Sequence, residues 1–172
     1  MANTYTLISS QTLASTAASV TFSTIPSTYT DLCLKASIRT NDASTSSYFR
    51  MTINGDSGTN YGNRRLTGTG SAASSGNNSG QVWINAVYVA SNGDTANTFG
   101  STEIYIPSYN STASKPMNIF TTEENNATAS NIQLQAGLYI GTSAITSTTL
   151  LNVGSTLFLA GSSFYLYGIK NS

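Results

Sequence analysis

The sequence predicts an all-β chain folded as an antiparallel two-sheet β-sandwich, jelly-roll-like, on three observations. Period-two alternation of apolar and polar residues recurs along the chain while helical periodicity is nearly absent. The alternating segments are short, about ten in number, and spaced every twelve to fifteen residues or so, as in sandwiches. Gly, Asn and Ser clusters separate them. The 172 residues suffice for one domain, 1–172, with residues 1–10 as an N-terminal arm or edge strand.

The elements follow in order. Tyr5 to Leu13 and Ser19 to Phe22 make two strands, the second stopped by Ile25-Pro26. Asp31 to Arg39 places Leu32, Leu34, Ala36 and Ile38 on one face and Cys33, Lys35, Ser37 and Arg39 on the other. Tyr48 to Ile53 runs into Asn54-Gly55, a turn pair suited to a hairpin. Gly62 to Thr69 is a further strand, and Gly70 to Gly80, without apolar anchors, is expected as an exposed loop. Val82 to Val89 carries the sole Trp, Trp83. Phe99 to Ile106, Pro116 to Thr122, a strand placing Ile132, Leu134, Ala136 and Leu138 on one face, Ile145 to Val153 and Ser163 to Lys170 complete the set. The apolar C-terminal strand is expected to pair with the N-terminal one, because such a strand needs a sheet partner.

Composition bounds the chemistry. The chain has no histidine and one cysteine, roughly three residues in ten are Ser or Thr, and 8% are charged. Most catalysis needs a group titrating near neutrality or a cluster of metal ligands. Without His there is no Ser-His-Asp set, and Cys33 has no partner for nucleophilic work, so it reads as a small half-buried hydrophobe. The three glutamates, Glu103, Glu123 and Glu124, read as solvated turn charges; adjacent Glu123 and Glu124 would face opposite ways on a strand. Asp56-Ser57-Gly58-Thr59-Asn60 has oxygen side chains at alternate positions but one carboxylate, and reads as a turn. No cofactor or metal is expected, and the chain is expected not to be an enzyme.

Seven basic and seven acidic residues cancel, and the basic ones are scattered, which argues against nucleic acid as partner. No segment has the length of a membrane span and no secretory signal is seen. Arg64-Arg65 is expected as a strand end or inter-subunit contact. Trp83 belongs to the core or a subunit seam. Tyr61, Trp83, Tyr88, Tyr105 and Tyr109 are the aromatic residues that could stack on a sugar.

Several segments together carry a likeness. Met1-Ala2-Asn3-Thr4-Tyr5-Thr6-Leu7-Ile8 leads into Ser19-Val20-Thr21-Phe22 and Ile25-Pro26-Ser27-Thr28-Tyr29. Later come Met51-Thr52-Ile53-Asn54-Gly55-Asp56, Glu103-Ile104-Tyr105-Ile106-Pro107 and the ending Phe164-Tyr165-Leu166-Tyr167-Gly168-Ile169-Lys170. This pattern resembles small β-rich virion proteins of tailed bacteriophages, particularly of aquatic and cyanobacterial phages. The resemblance implies a capsid decoration (cement) protein or a tail-associated adhesion module, both commonly trimers of β-sandwich subunits. The expected partners are further copies in a homotrimer and the major capsid protein or other virion proteins. For the adhesin reading the partner is a host-surface glycan. The expected location is the virion, assembled in the host cytoplasm. The candidate assembly contacts are Ala2, Asn3, Thr4 and Tyr5 in the N-terminal arm, with Arg64, Arg65 and Trp83.

Overall fold

The structure, a computed structural model, describes residues 4–45, 47–127 and 130–170; Ala2 and Asn3 lie outside the described residues. Twelve strands are present among those residues. They are β1 (Tyr5–Thr12), β2 (Ser19–Phe22), β3 (Asp31–Ile38), β4 (Ser47–Ile53), β5 (Tyr61–Gly68) and β6 (Ala73–Gln81), followed by β7 (Ile84–Val89), β8 (Gly100–Ile106), β9 (Lys115–Glu123), β10 (Asn131–Tyr139), β11 (Thr148–Asn152) and β12 (Ser163–Ile169). An eight-stranded sheet has the order β1-β12-β3-β8-β9-β10-β5-β6, and a four-stranded sheet the order β2-β11-β4-β7. All ladders are antiparallel.

The pairing is nested. β1 pairs with β12, β2 with β11, β3 with β8 and β4 with β7. Wrapped into two sheets, those eight strands form a jelly-roll-like framework. The other four strands are two hairpins inserted into it, β5–β6 between β4 and β7 and β9–β10 between β8 and β11. Both join the same sheet side by side, so β9-β10-β5-β6 extends it beyond β8.

Alternation builds the core. Leu32, Leu34, Ala36 and Ile38 of β3 point inward with Ile104 and Ile106 of β8 and Phe164 and Leu166 of β12. They meet Val20, Phe22, Phe49, Met51, Ile53, Val87 and Leu150 from the smaller sheet. Phe158 packs edge-on against Phe164 at 5.3 Å and Phe49 at 6.3 Å, tying the sheets together. The expected pairing of the terminal strands is present, from Tyr5↔Ile169 to Thr12↔Ser163.

Three expectations are corrected. Gly70 to Gly80 is mostly strand: β6 pairs with β5 from Gly68↔Ala73 to Tyr61↔Gln81, because an edge strand is held by its backbone ladder and needs no apolar face. Asn54 and Gly55 form the expected turn, with φ of 53° and 66°. That turn leads from the small sheet to the large one, so it closes no hairpin. Asn54 is held there by its side chain, whose Oδ1 accepts from Thr146 N at 2.8 Å and whose Nδ2 donates to Ala144 O at 2.8 Å. Trp83 precedes β7 instead of lying within it.

Candidate contact surface

The inserted strand β10 runs opposite in phase to β3. Its exposed residues are Ile132, Leu134, Ala136 and Leu138, and its inward ones are Gln133, Gln135, Gly137 and Tyr139. The alternation reads correctly from the sequence; the side that faces water is the apolar one.

Inward contacts fix this phase. The Tyr139 ring stacks on Tyr61 with centroids 4.9 Å apart, and its hydroxyl donates to Asp56 Oδ2 at 2.9 Å. A Cβ on Gly137 would already stand 3.4 Å from Ile84 Cδ1 and Met117 Cβ, so no larger inward side chain fits without displacing them. Gln135 Nε2 donates to Asn85 O at 3.2 Å, and Gln133 Nε2 to Thr67 Oγ1 at 3.3 Å. A one-residue slip would drive Leu134 and Leu138 inward but expel all of these groups.

Outside, register gathers the apolar residues. Leu134 stands between Leu66 of β5 and Phe120 of β9. Ile132 is flanked by Gly68 and Thr122, and Leu138 by Gly62 and Pro116, so glycine neighbours leave both uncovered. Exposure reaches 55% at Leu134, 53% at Leu66, 50% at Ile132, 42% at Phe120 and 41% at Leu138. Together they present about 450 Å² of surface, within the range of the largest apolar patch on an ordinary monomer, a patch that is often functional. Between them lies a shallow depression of about 590 Å³ over Ala136, rimmed by Arg64, Phe120, Tyr105 and Glu103.

Farther along the same face, Tyr5 and Leu7 of β1 are also half exposed, Tyr5 lying edge-on to Tyr167 at 6.1 Å. Between the two apolar regions, Lys35 Nζ and Glu103 Oε2 are paired at 2.8 Å in open solvent. Such a pair adds little stability, because water screens both charges.

The expected contact residues separate. Thr4 is exposed, and its carbonyl accepts from Lys170 N at 3.2 Å. Tyr5 and Arg64 lie on the outer face of the large sheet. Arg65 alternates to the inner side and is half-buried, its guanidinium lying over Gly76, where a Cβ would be 2.9 Å from Nη2. Half-buried Trp83 stacks on Arg50, whose guanidinium carbon is 4.0 Å from the ring centroid. Arg50 belongs to the outer face of the small sheet, so Trp83 is remote from the patch. Leu66, Phe120 and the β10 residues were not among the expected contacts.

Of the aromatic candidates, Tyr61 and Tyr109 are buried and offer no ring face. The Tyr61 hydroxyl donates to Asp56 O at 3.0 Å, and that of Tyr109 to Pro26 O. Tyr105 donates to Asp31 Oδ2 at 2.7 Å, which with burial holds its pKa up at about 12.

The titratable groups are absorbed by structure. Glu123 is no solvated turn charge: it is buried at the inward end of β9, where burial and then nearby Asp94 push its pKa up to about 8. Asp94 accepts from Ser91 N at 2.6 Å and Asn125 Nδ2 at 2.8 Å. Glu103 lies on the outer face of the sheet, so it cannot oppose Glu123 across a cleft. Asp56 accepts from Gly58 N at 2.7 Å and Asn60 Nδ2 at 2.8 Å, the bonds of a tied turn. Buried Lys115 donates to Ser111 O at 2.8 Å and to Ala113 O. Cys33 is fully buried, not half-buried, between Tyr105 and Tyr167, and its thiol is pushed up to about 11, chiefly by burial. Among the described residues, no group of three or more Cys, Asp or Glu side chains is placed to hold a metal ion.

No protein-family model, curated protein or solved structure matches this chain.

Proposed function

We propose that this chain is a non-enzymatic structural component of a tailed-phage virion, working by contact. Within that class the reading is a capsid decoration protein, a homotrimer that braces the shell. The carrying observation is the inverted strand β10, which spends glutamines on the interior and leaves Ile132, Leu134 and Leu138 beside Leu66 and Phe120 on an open face. A free monomer gains nothing from that arrangement, whereas a chain that covers the face on assembly recovers the burial. The commitment of Glu123, Asp56 and Asp31 to internal hydrogen bonds or burial fits a chain selected for shape.

A tail adhesin recognising a host-surface glycan is the second reading. It is favoured by the depression beside Phe120, where Tyr105, Asn118 and Arg64 set ring faces next to hydrogen-bonding groups.

Quantifying the protein in purified particles separates the two. The decoration reading expects a copy number commensurate with the capsid lattice, and capsids lacking the protein that rupture at lower temperature. Tail stoichiometry with unaltered capsid stability, together with direct glycan binding by the purified chain, would replace it with the adhesin.

A further inference from the structure

We infer that copies of this chain associate cyclically through the outer face of β9, β10 and β5, the Arg64 flank of one copy meeting the Glu103 flank of the next. This rests on the self-association proposed above and specifies its surface.

The first argument is area. An interface of standard size covers about 800 Å² per partner, and at about 57% apolar it needs roughly 450 Å² of apolar surface on each side. The half-exposed Leu66, Phe120, Ile132, Leu134 and Leu138 supply about that much, centred on Leu134. Along β10, Ile132, Leu134, Ala136 and Leu138 recur at every second residue, roughly 7 Å apart, which gives successive layers of side chains that can meet around a common axis.

The second argument is charge. Arg64 borders the patch on β5, and Glu103 borders it on β8, three strands away. Arg64 is exposed and has no carboxylate partner among the described residues. Lys35 Nζ engages Glu103 at Oε2, 2.8 Å away, and both side chains stay about half exposed. A head-to-tail contact brings these opposite flanks together. A two-fold contact about an axis along β10 instead sets Glu103 opposite β6, whose sequence Ala-Ser-Ser-Gly-Asn-Asn-Ser-Gly-Gln has no charge. The formal net charge of zero adds no collective repulsion between copies.

Sedimentation of the full chain over a concentration series at low salt tests this. The expected result is a closed oligomer that Leu134→Asp weakens by about thirtyfold or more, with the far-UV spectrum of the monomer unchanged and its melting little lowered because the side chain is exposed. Arg64→Glu weakens assembly by about threefold, and so does the inverted pair Lys35→Glu/Glu103→Lys; combining all three substitutions restores it. Wild-type assembly by Leu134→Asp overturns the assigned face while self-association stands. Failure of the triple variant to recover overturns the head-to-tail arrangement. A wild-type chain that stays monomeric, yet loses particle binding through Leu134→Asp, overturns both the inference and the self-association, and assigns the face to the shell.

Discussion

The jelly-roll-like framework and the hairpins added to it solve burial in opposite ways. In the framework, β3 turns Leu32, Leu34 and Ile38 inward and leaves Lys35 and Ser37 in water. In the extension, β10 turns Gln133 and Gln135 inward and leaves Ile132 and Leu134 in water. β5 repeats the inversion, with Asn63 and Thr67 buried and Leu66 exposed. The four-stranded sheet covers the framework's apolar face and stabilises it within one copy. The extension also sends Tyr61, Met117, Ile119 and Tyr139 into the core, but it carries a second apolar set on the side that only another molecule can cover. The framework therefore folds the protein with help from the extension, and the extension gives it something to adhere with.

Four substitutions test that contrast. Phe164→Ala removes the centre of the framework core and should lower stability by about 3–5 kcal/mol in urea unfolding. A much smaller loss would mean the framework core is not what holds the chain together. Glu123→Gln addresses the polar interior of the extension. Glu123 keeps its proton to about pH 8 when folded but releases it near 4.5 when unfolded. The folded state thus binds more protons between those values, so stability falls as pH rises through that window and levels off above it. Removing the charge should flatten the profile and stabilise the chain at pH 9 by roughly 2–4 kcal/mol. An unchanged slope between pH 5 and pH 9 would mean that Glu123 ionises at little cost.

Gln135→Met makes the extension resemble the framework. Gln135 Oε1 is buried and accepts no hydrogen bond from the described residues, while Nε2 makes one bond, at 3.2 Å. Exchanging the amide for an apolar side chain of similar volume should raise stability by about 1 kcal/mol, read from the urea midpoint. A loss of that size would show the amide to be well satisfied. Leu134→Ser should lower monomer stability by no more than about 1 kcal/mol, because Leu134 is more than half exposed and its neighbours in its own copy are the cross-strand pair Leu66 and Phe120. A larger destabilisation under monomeric conditions would place Leu134 in the fold and weaken the case for an interface.

Period-two alternation located nearly every strand and, for β3, β4 and β10 alike, said which residues share a face. In β3 and β4 the apolar face is the buried one, and in β10 it is the exposed one. Alternation says which residues share a side, and the side itself is chosen by contacts distant in sequence, here Tyr139 with Asp56 and Gly137 against Ile84. The same distance hid the patch: Leu66 and Phe120 join Leu134 only through strand register. β6 escaped notice because its Gly, Ser and Asn residues pair through backbone alone. Glu123 resembled its solvated neighbour Glu124 until the ladder assigned one of them to the interior. Tyr5 and Arg64 stand exposed on the outer face, whereas Arg65, one residue on, alternates inward.

The two inserted hairpins touch through β5 and β10, strands separated by about 70 residues of chain. β9 and β10 can zip onto β8 as a local event, since neighbouring segments supply both halves. Pairing β5 with β10 closes a shorter loop than pairing β1 with β12, whose register joins Tyr5 to Ile169, so loop-closure entropy opposes the terminal seam of the framework more than it opposes assembly of the adhesive side.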